Sequence, residues 1–317
     1  MVLILNDQDV SSILTMESNI ETMEQSFIEL SKNKVKMTER GVVIVEEKNG
    51  WYGVMTAHMS DMKALGTKIV TVFPENTSLN KPTTQGVISL TDVDTGELLC
   101  IMDGSLITGM RTGAVTGVAT KYISKKDSNS IGIFGSGYQS RFQLLAICSV
   151  RDINKIVLTS PSADKKSEYL KSLEKELNIP IIVTHNVEKV LQNDILVTAT
   201  SSTSPLFDGN LVNPGTHINC IGAHTKESTE VDSITLNRSK IIVDESQTAI
   251  REAGGISDAN IFADLADIIL GNKVVRTNED DITLFKSMGL SLEDISTANL
   301  IYNKAIKQGL GNNINLS

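Results

Sequence analysis

The sequence predicts an α/β protein with two parts, a mostly antiparallel α+β part and a doubly wound parallel sheet. Two observations lead to this prediction. Strand-like runs follow one another directly before residue 105, whereas β-branched runs alternate with helical segments from residue 131 to residue 244. The first pattern favours antiparallel pairing and the second a parallel sheet with crossover helices. The 317 residues are enough for two ordinary cores.

The first part begins with a helix and continues as strands. Ile20, Met23, Phe27 and Leu30 recur at helical spacing. The strand-like runs that follow are Gly41–Val45, Tyr52–Met59, Lys68–Phe73, Val87–Asp92 and Leu98–Asp103. The last two flank Asp94-Thr95-Gly96, which is typical of a hairpin turn.

A long helix without proline is predicted over residues 105–126. It contains Gly109, Gly113 and Gly117, and each glycine inside a helix costs roughly 1 kcal/mol. Something must therefore pack very close to this helix, either a neighbouring structural element or a bound ligand.

The alternating part is predicted to hold six strands: Ile131–Phe134, Ile156–Thr159, Ile181–Val183, Ile195–Thr198, Ile218–Gly222 and Ile241–Asp244. Helices fit most of the gaps, for example Tyr138–Val150 and Ala163–Leu177. A further helical segment begins at Ser291 and stops near Gly309.

Composition narrows the functional class. The net charge of −9 argues against a nucleic-acid partner or an anionic membrane surface. No apolar run approaches the roughly 18–20 residues of a membrane span. The three cysteines are far apart and lie in apolar runs, which favours free thiols in the cytoplasm.

The stretch IGIFGSGYQSRFQ, residues 131–143, matches a nucleotide-binding turn. Gly135 permits the tight turn after the strand, and Gly137 lets a pyrophosphate approach the free amides of the next helix. Ser140 stands at the third glycine position and is small enough for close packing. Strand and helix context favours a dinucleotide cofactor, and the alternative is a plain strand–helix turn.

The end of the second strand bears on the choice of cofactor. The fingerprint expects an acid there for the ribose 2′-hydroxyl, but the chain has Thr159-Ser160-Pro161-Ser162 followed by Lys165 and Lys166. Hydroxyls and a cation favour NADP(H) slightly over NAD(H). A solvent-facing loop is the alternative.

Five stretches carry a family resemblance: LGTKIVTVFPEN, TQGVISLTDVDTGELLCIMDG, ITGMRTGAVTGVATKYIS, GIFGSGYQSRFQL and SMGLSLEDISTANLIYNKA. Their order and content resemble the ornithine cyclodeaminase and mu-crystallin family. The resemblance implies a Rossmann domain, residues 121–290, inserted in a substrate-binding and dimerisation domain, residues 1–120, which the helix in 291–317 completes. A homodimer is implied as well.

The resemblance also implies the site residues. Cofactor positions are Thr83, Thr112, Gly135, Gly137, Tyr138, Gln139, Ser160 and Thr200. Arg40, Lys68 and Arg111 match the positions that hold the substrate carboxylate. A guanidinium fork suits a carboxylate because it donates two charge-assisted bonds. No metal is expected.

Two residues depart from the cyclodeaminase pattern. His224 stands where cyclodeaminases have an aspartate, and Met55, a candidate for the substrate pocket, lies near the position of their glutamate. We therefore predict an NAD(P)H-dependent reductase of small α-imino acids, such as the cyclic ketimine pyrroline-2-carboxylate, or a related amino-acid dehydrogenase. His224 or Lys68 would handle the proton. The alternatives are an ornithine cyclodeaminase and a mu-crystallin-like binding protein with little turnover.

Overall fold

The computed structural model describes residues 1–223 and 225–316, and these form two compact units. The first unit comprises residues 1–111 together with the segment from Leu290 onward, and the second comprises residues 112–289. The division falls inside the helix α3 (Ser105–Ile123), between Arg111 and Thr112, rather than at residue 120. That helix ends three residues earlier than predicted, at Ile123 instead of residue 126.

The first unit is built on a mostly antiparallel sheet. Its elements are β1 (Val2–Leu5), α1 (Asp7–Ile13), α2 (Met16–Ser31), β2 (Val35–Met37), β3 (Gly41–Val45), β4 (Gly50–Met59), β5 (Ala64–Val72), β6 (Thr84–Thr91), β7 (Leu98–Asp103), α10 (Ser291–Gln308) and β16 (Asn312–Ile314). The strand order is β16-β1-β7-β6-β5-β4-β2, and β3 pairs with β4 beside β2. Only the β1–β7 pair is parallel among these described strands.

Helix α10 packs on β4, β5 and β6 of this sheet. Its apolar face is fully buried through Ile295, Ala298, Ile301 and Ala305. A Cβ atom on Gly66 of β5 would lie 3.1 Å from Cδ1 of Ile295, so helix and strand are in close contact. The C-terminal helix is therefore an integral part of the first unit.

The second unit is a doubly wound parallel sheet. Its elements are β8 (Ser130–Phe134), α4 (Tyr138–Cys148), β9 (Lys155–Thr159), α5 (Ser167–Leu177), β10 (Ile181–Val183), α6 (Val187–Leu191), β11 (Ile195–Thr198), β12 (His217–Cys220), α7 (Ser233–Arg238), β13 (Ser239–Val243), α8 (Ser246–Glu252), β14 (Ile261–Asp264), α9 (Leu265–Ile269) and β15 (Ile282–Lys286). The strand order is β10-β9-β8-β11-β12-β15-β13-β14. Because the chain winds outward from β8 in one direction and from β11 in the other, the topological switch point lies between these two strands.

The predicted fold class is confirmed, with two strands more than the sequence indicated. The second sheet contains β14 and β15 in addition to the six predicted strands, and β15 is inserted between β12 and β13.

The environment of Gly113 explains one of the three glycines in the long helix α3. A Cβ atom there would lie 2.5 Å from the carbonyl oxygen of Phe142, so Gly113 serves the close packing of α3 against α4.

None of the helices within the described residues is both long enough and apolar enough to cross a bilayer.

Candidate functional site

Lys68 and Met55 lie side by side in the first unit. They are direct partners in the antiparallel pairing of β4 with β5, so their side chains share one face of the sheet. Alternation along β5 places Lys68 on the same face as Gly66, which is the face covered by α10. Lys68 is 1% exposed and Met55 5%. A buried ammonium of this kind requires a counter-charge.

The counter-charges come from the first turn of α10. Asp294 and Glu293 are fully buried. Lys68 Nζ lies 2.6 Å from Asp294 Oδ2, and Arg111 Nε donates to Asp294 Oδ1 at 3.0 Å. Arg111 Nη1 donates to Glu293 Oε2 at 2.7 Å, while Glu293 Oε1 accepts the backbone N–H of Leu290 at 3.1 Å. Two cations and two carboxylates thus form one buried ion-pair network.

This network changes the acidity of its members. Burial lowers the pKa of Lys68, and the charges of Arg111 and Arg40 lower it further, while Asp294 raises it, so that the pKa is about 8. For Arg111 burial acts to lower the pKa, but Asp294 and Glu293 outweigh it and the pKa lies above its ordinary value. Arg111 therefore stays charged, whereas the pKa of Lys68 is brought closer to neutral pH.

Part of the Arg111 guanidinium is not engaged by α10. Its Nε and Nη1 groups contact α10, but Nη2 has no hydrogen-bond partner within residues 1–223 and 225–316. Arg40 lies between β2 and β3 and is half-buried, and it is near enough to influence Lys68 electrostatically. The structure thus groups Arg40, Lys68, Arg111 and Met55 in one region of the first unit.

The glycine turn of the second unit joins β8 to α4. Gly135 has φ of +108°, and a Cβ atom there would lie 2.4 Å from the carbonyl oxygen of Ala199, so only glycine fits. Gly137 is the N-cap of α4, where no side chain caps the free amides and a Cβ atom would meet nothing within 4 Å. Ser140 is buried and its hydroxyl donates to the Gly135 carbonyl at 3.0 Å. The open, uncapped helix start fits a pyrophosphate.

The other predicted cofactor residues divide between the two units. In the second unit, Tyr138 is 58% exposed, and Gln139 Oε1 is buried with no hydrogen-bond partner among the described residues. Thr112 is buried at the start of this unit. Thr200 follows β11, and Thr83 belongs to the first unit, directly before β6.

A cluster of serine hydroxyls lies beside the glycine turn. Ser136 Oγ is 3.0 Å from Ser160 Oγ and 3.1 Å from Ser162 Oγ, and the latter two are 3.2 Å apart. Lys166 Nζ donates to the backbone carbonyl of Ser136 at 2.6 Å. Hydroxyl donors and an ammonium group therefore meet at the end of β9, where an adenosine ribose is read in this type of fold.

Sequence reasoning missed three polar residues of these regions: Glu293, Asp294 and Ser136. A signal existed for Asp294, because it precedes Ala298 by four residues and Ile301 by seven and so lies on the apolar face of its helix. The predicted proton carrier His224 lies outside the described residues.

Comparison with known proteins gives a consistent picture. The model of the ornithine cyclodeaminase/mu-crystallin family matches residues 2–309. A Delta(1)-pyrroline-2-carboxylate reductase of Bacillus cereus is 32% identical over 324 residues, which cover 99% of this chain and 99% of that protein.

Two solved structures share the fold over the full chain. That of Thermococcus litoralis Delta(1)-pyrroline-2-carboxylate reductase in complex with NADH and L-proline has a TM-score of 0.95 at 38% identity, covering 99% of this chain and 100% of that one. An archaeal alanine dehydrogenase dimer with bound NAD has a TM-score of 0.93 at 30% identity, covering 100% of this chain and 99% of that one.

Proposed function

The chain belongs to the ornithine cyclodeaminase/mu-crystallin family, and we propose that it is an NAD(P)H-dependent reductase of small α-imino acids. A cyclic ketimine such as pyrroline-2-carboxylate is the proposed substrate. The observation that carries the proposal is the buried network of Lys68 and Arg111 with Asp294 and Glu293. Reductases of this substrate are among the similar proteins. The first unit would then bind substrate and the second the dinucleotide.

The residues of the second unit fit a dinucleotide. The uncapped start of α4 would hold the pyrophosphate, and Gln139 Oε1 is a buried acceptor without a partner among the described residues. Tyr138, Thr112 and Thr200 of the same unit would make further contacts. When bound, the reduced nicotinamide supplies the hydride that adds to the imine carbon.

The substrate carboxylate would be bound by Arg111, Lys68 and Arg40. Arg111 donates from Nη2, the group that α10 leaves without a partner among the described residues. Since Asp294 and Glu293 hold the other side of the guanidinium, the fork is already oriented before substrate arrives, which lowers the entropic cost of correct placement.

Lys68 is the proposed proton donor in the described part of the site. Reduction of C=N adds a hydride to carbon and a proton to nitrogen, and an ammonium with a pKa of about 8 can supply that proton near neutral pH. His224 remains a proposed second proton carrier.

The side chain of Met55 cannot ionise. Because Met55 lies near the position at which cyclodeaminases have a glutamate, it disfavours the ornithine cyclodeaminase alternative.

A substrate panel tests the function. We expect pyrroline-2-carboxylate and other cyclic imines to be reduced, with stoichiometric loss of nicotinamide absorbance. Proline formed from ornithine with only catalytic cofactor would instead identify a cyclodeaminase. Faster reduction of pyruvate with ammonia would identify an alanine dehydrogenase, the activity of one structural relative. Cofactor binding without turnover of any of these would leave the binding-protein alternative.

Cofactor choice gives a separate prediction. We expect NADPH to be used with higher kcat/KM than NADH, because Lys166 and the hydroxyls of Ser136, Ser160 and Ser162 suit a 2′-phosphate. Lys166→Met should lower kcat/KM for NADPH about tenfold and leave NADH nearly unchanged, since charge-assisted bonds contribute about 1.5–3 kcal/mol. Lys165→Met, at the exposed neighbouring position, is the control. A higher kcat/KM for NADH in the unmodified protein would contradict the prediction.

We also propose a homodimer formed through the sheet of the first unit. Strand β3 pairs only with β4 among the described strands, and Val43 and Ile44 on it are 62% and 61% exposed. An apolar, unpaired edge strand needs cover.

Ile44→Lys should therefore weaken the dimer by about tenfold or more, because a lysine would lose hydration in the interface. Analytical ultracentrifugation measures this, with Val274→Lys at an equally exposed position of the second unit, 66%, as control. Monomeric unmodified protein at micromolar concentration would contradict the proposal.

A further inference from the structure

The carboxylate of Glu230 joins the ends of two neighbouring strands in the second unit. Its Oε1 accepts the backbone N–H of Thr200 at 2.8 Å and the Thr200 hydroxyl at 2.7 Å. Its Oε2 accepts the Thr198 hydroxyl at 2.8 Å and the backbone N–H of Gly222 at 2.7 Å. Glu230 is only 2% exposed. Each carboxylate oxygen thus receives one backbone N–H and one hydroxyl.

The segments that Glu230 holds border the glycine turn directly. A Cβ atom on Gly135 would lie 2.4 Å from the carbonyl oxygen of Ala199 and 3.3 Å from Cγ2 of Thr200. A Cβ atom on Gly222 would lie 2.2 Å from the carbonyl oxygen of Thr200. The backbone at these positions is therefore packed without free space, and a shift of residues 199–200 would move the wall of the turn.

A second buried charged side chain, that of Lys286, binds backbone carbonyl groups near Gly222. Lys286 is 6% exposed, and its Nζ donates to the carbonyl oxygen of Ala223 and, at 3.5 Å, to that of Cys220. The backbone of residues 220–223 is thus fixed through an N–H by Glu230 and through carbonyls by Lys286. The side chains of Glu230 and Lys286 thus satisfy backbone groups at the ends of β11 and β12.

We infer that Glu230 is a positioning residue for the dinucleotide, whose carboxylate fixes Thr200 and the backbone at Gly222 against the Gly135 turn. The inference rests on the cofactor site proposed above. Ligands of doubly wound sheets bind at the carboxyl ends of the strands next to the switch point, which are here the ends of β8 and β11. Glu230 acts there through Thr200 and Gly222.

The hydrogen-bond pattern makes a specific demand on the side chain. Glutamine has the shape of glutamate but carries an amide NH₂ in place of one oxygen. Whichever way the amide turns, its NH₂ group meets a backbone N–H, from Thr200 or from Gly222, that cannot reverse its direction. Glutamine is therefore not a conservative replacement at position 230.

The test is calorimetric titration with NADPH. Glu230→Gln is expected to raise the Kd for NADPH about tenfold or more, because a buried donor loses its acceptor. At saturating NADPH the KM of the imino acid should stay within about twofold, because its proposed ligands lie elsewhere. Thr198→Val removes one hydroxyl donor and leaves Thr200 in place, so it should raise the Kd about threefold. This milder variant serves if Glu230→Gln does not fold.

Glu29→Gln is the matched control. Glu29 is also 2% exposed and accepts backbone N–H groups, from Asp61 at 2.6 Å and Met62 at 3.2 Å, but it lies in the first unit. It should lose thermal stability without a change in the Kd for NADPH. An unchanged Kd in folded Glu230→Gln or in Thr198→Val, or an equal rise in Glu29→Gln, would overturn the inference. Failure of the unmodified protein to bind either dinucleotide would instead overturn the proposed function.

Discussion

Arg111→Ala is expected to lower kcat/KM for the imino acid about 30-fold to 5,000-fold. This range corresponds to a loss of transition-state stabilisation on the order of 2–5 kcal/mol. The guanidinium would bind the substrate carboxylate through Nη2 in a buried site, where the loss of one partner of a charge pair is most costly. The Kd for NADPH should change much less, because the glycine turn is built from residues of the second unit alone.

The same substitution should also destabilise the fold. Removing Arg111 leaves Glu293 and Asp294 buried with less positive charge nearby, and breaking a buried ion pair costs about 3–5 kcal/mol. Loss of activity could therefore reflect loss of structure, and a second variant must separate the two effects.

The double variant Arg111→Met with Glu293→Gln provides this separation. It removes one negative charge together with the positive one and keeps most of the side-chain volume, so thermal stability should recover part of the loss seen with Arg111→Ala. Activity should not recover, because the donor to the substrate is still absent. If activity returned with stability, Arg111 would serve only to neutralise α10, and the carboxylate site would have to lie elsewhere.

The positions of strands could be predicted from the sequence where apolar residues form a regular run. The runs that became β3, β7 and β8 match the structure closely, because each consists of apolar or β-branched residues between turn signals. Strand β15 was not predicted, because Thr283 interrupts its short apolar run and Lys286 ends it. Both are buried, and both have partners: Thr283 Oγ1 lies 3.0 Å from His217 Nδ1, while Lys286 donates to backbone carbonyls.

The sequence also did not predict all the residues that contact Arg111. The family resemblance placed Arg111 among the residues that hold the substrate carboxylate. The structure adds Glu293 and Asp294, which are separated from Arg111 by more than half the chain. A contact between α3 and α10 leaves no local periodic pattern, so only the position of Asp294 on an apolar helix face could have indicated it.

The pH dependence of catalysis is expected to follow Lys68. Reduction requires the protonated ammonium, so kcat/KM for the imino acid should fall as the pH rises through about 8, the pKa of Lys68 in the free enzyme. Oxidation of the amino acid requires the neutral amine as acceptor, so its kcat/KM should rise through the same pH. A pH profile that falls for reduction and rises for oxidation near the same pH would indicate that one group donates the proton in reduction and accepts it in oxidation.

Asp294→Asn should move both limbs to lower pH. Burial, Arg111 and Arg40 all lower the pKa of Lys68, and Asp294 is the group that raises it. Without its charge the pKa of Lys68 must fall, and less of the enzyme carries the proton at pH 7. We expect a loss of about 100-fold in reductive kcat/KM at pH 7, at the lower end of what a general acid contributes. Activity should partly return at lower pH.

Lys68→Met completes the comparison as a double-mutant cycle. It should remove the limb near pH 8 altogether and lower the rate at every pH. If Asp294 acts through the proton of Lys68, then Asp294→Asn should cost far less in the Lys68→Met background than in the unmodified protein. An undiminished loss there, or an Asp294→Asn profile that falls at the same pH as the unmodified enzyme, would show that Asp294 supports the site only through Arg111.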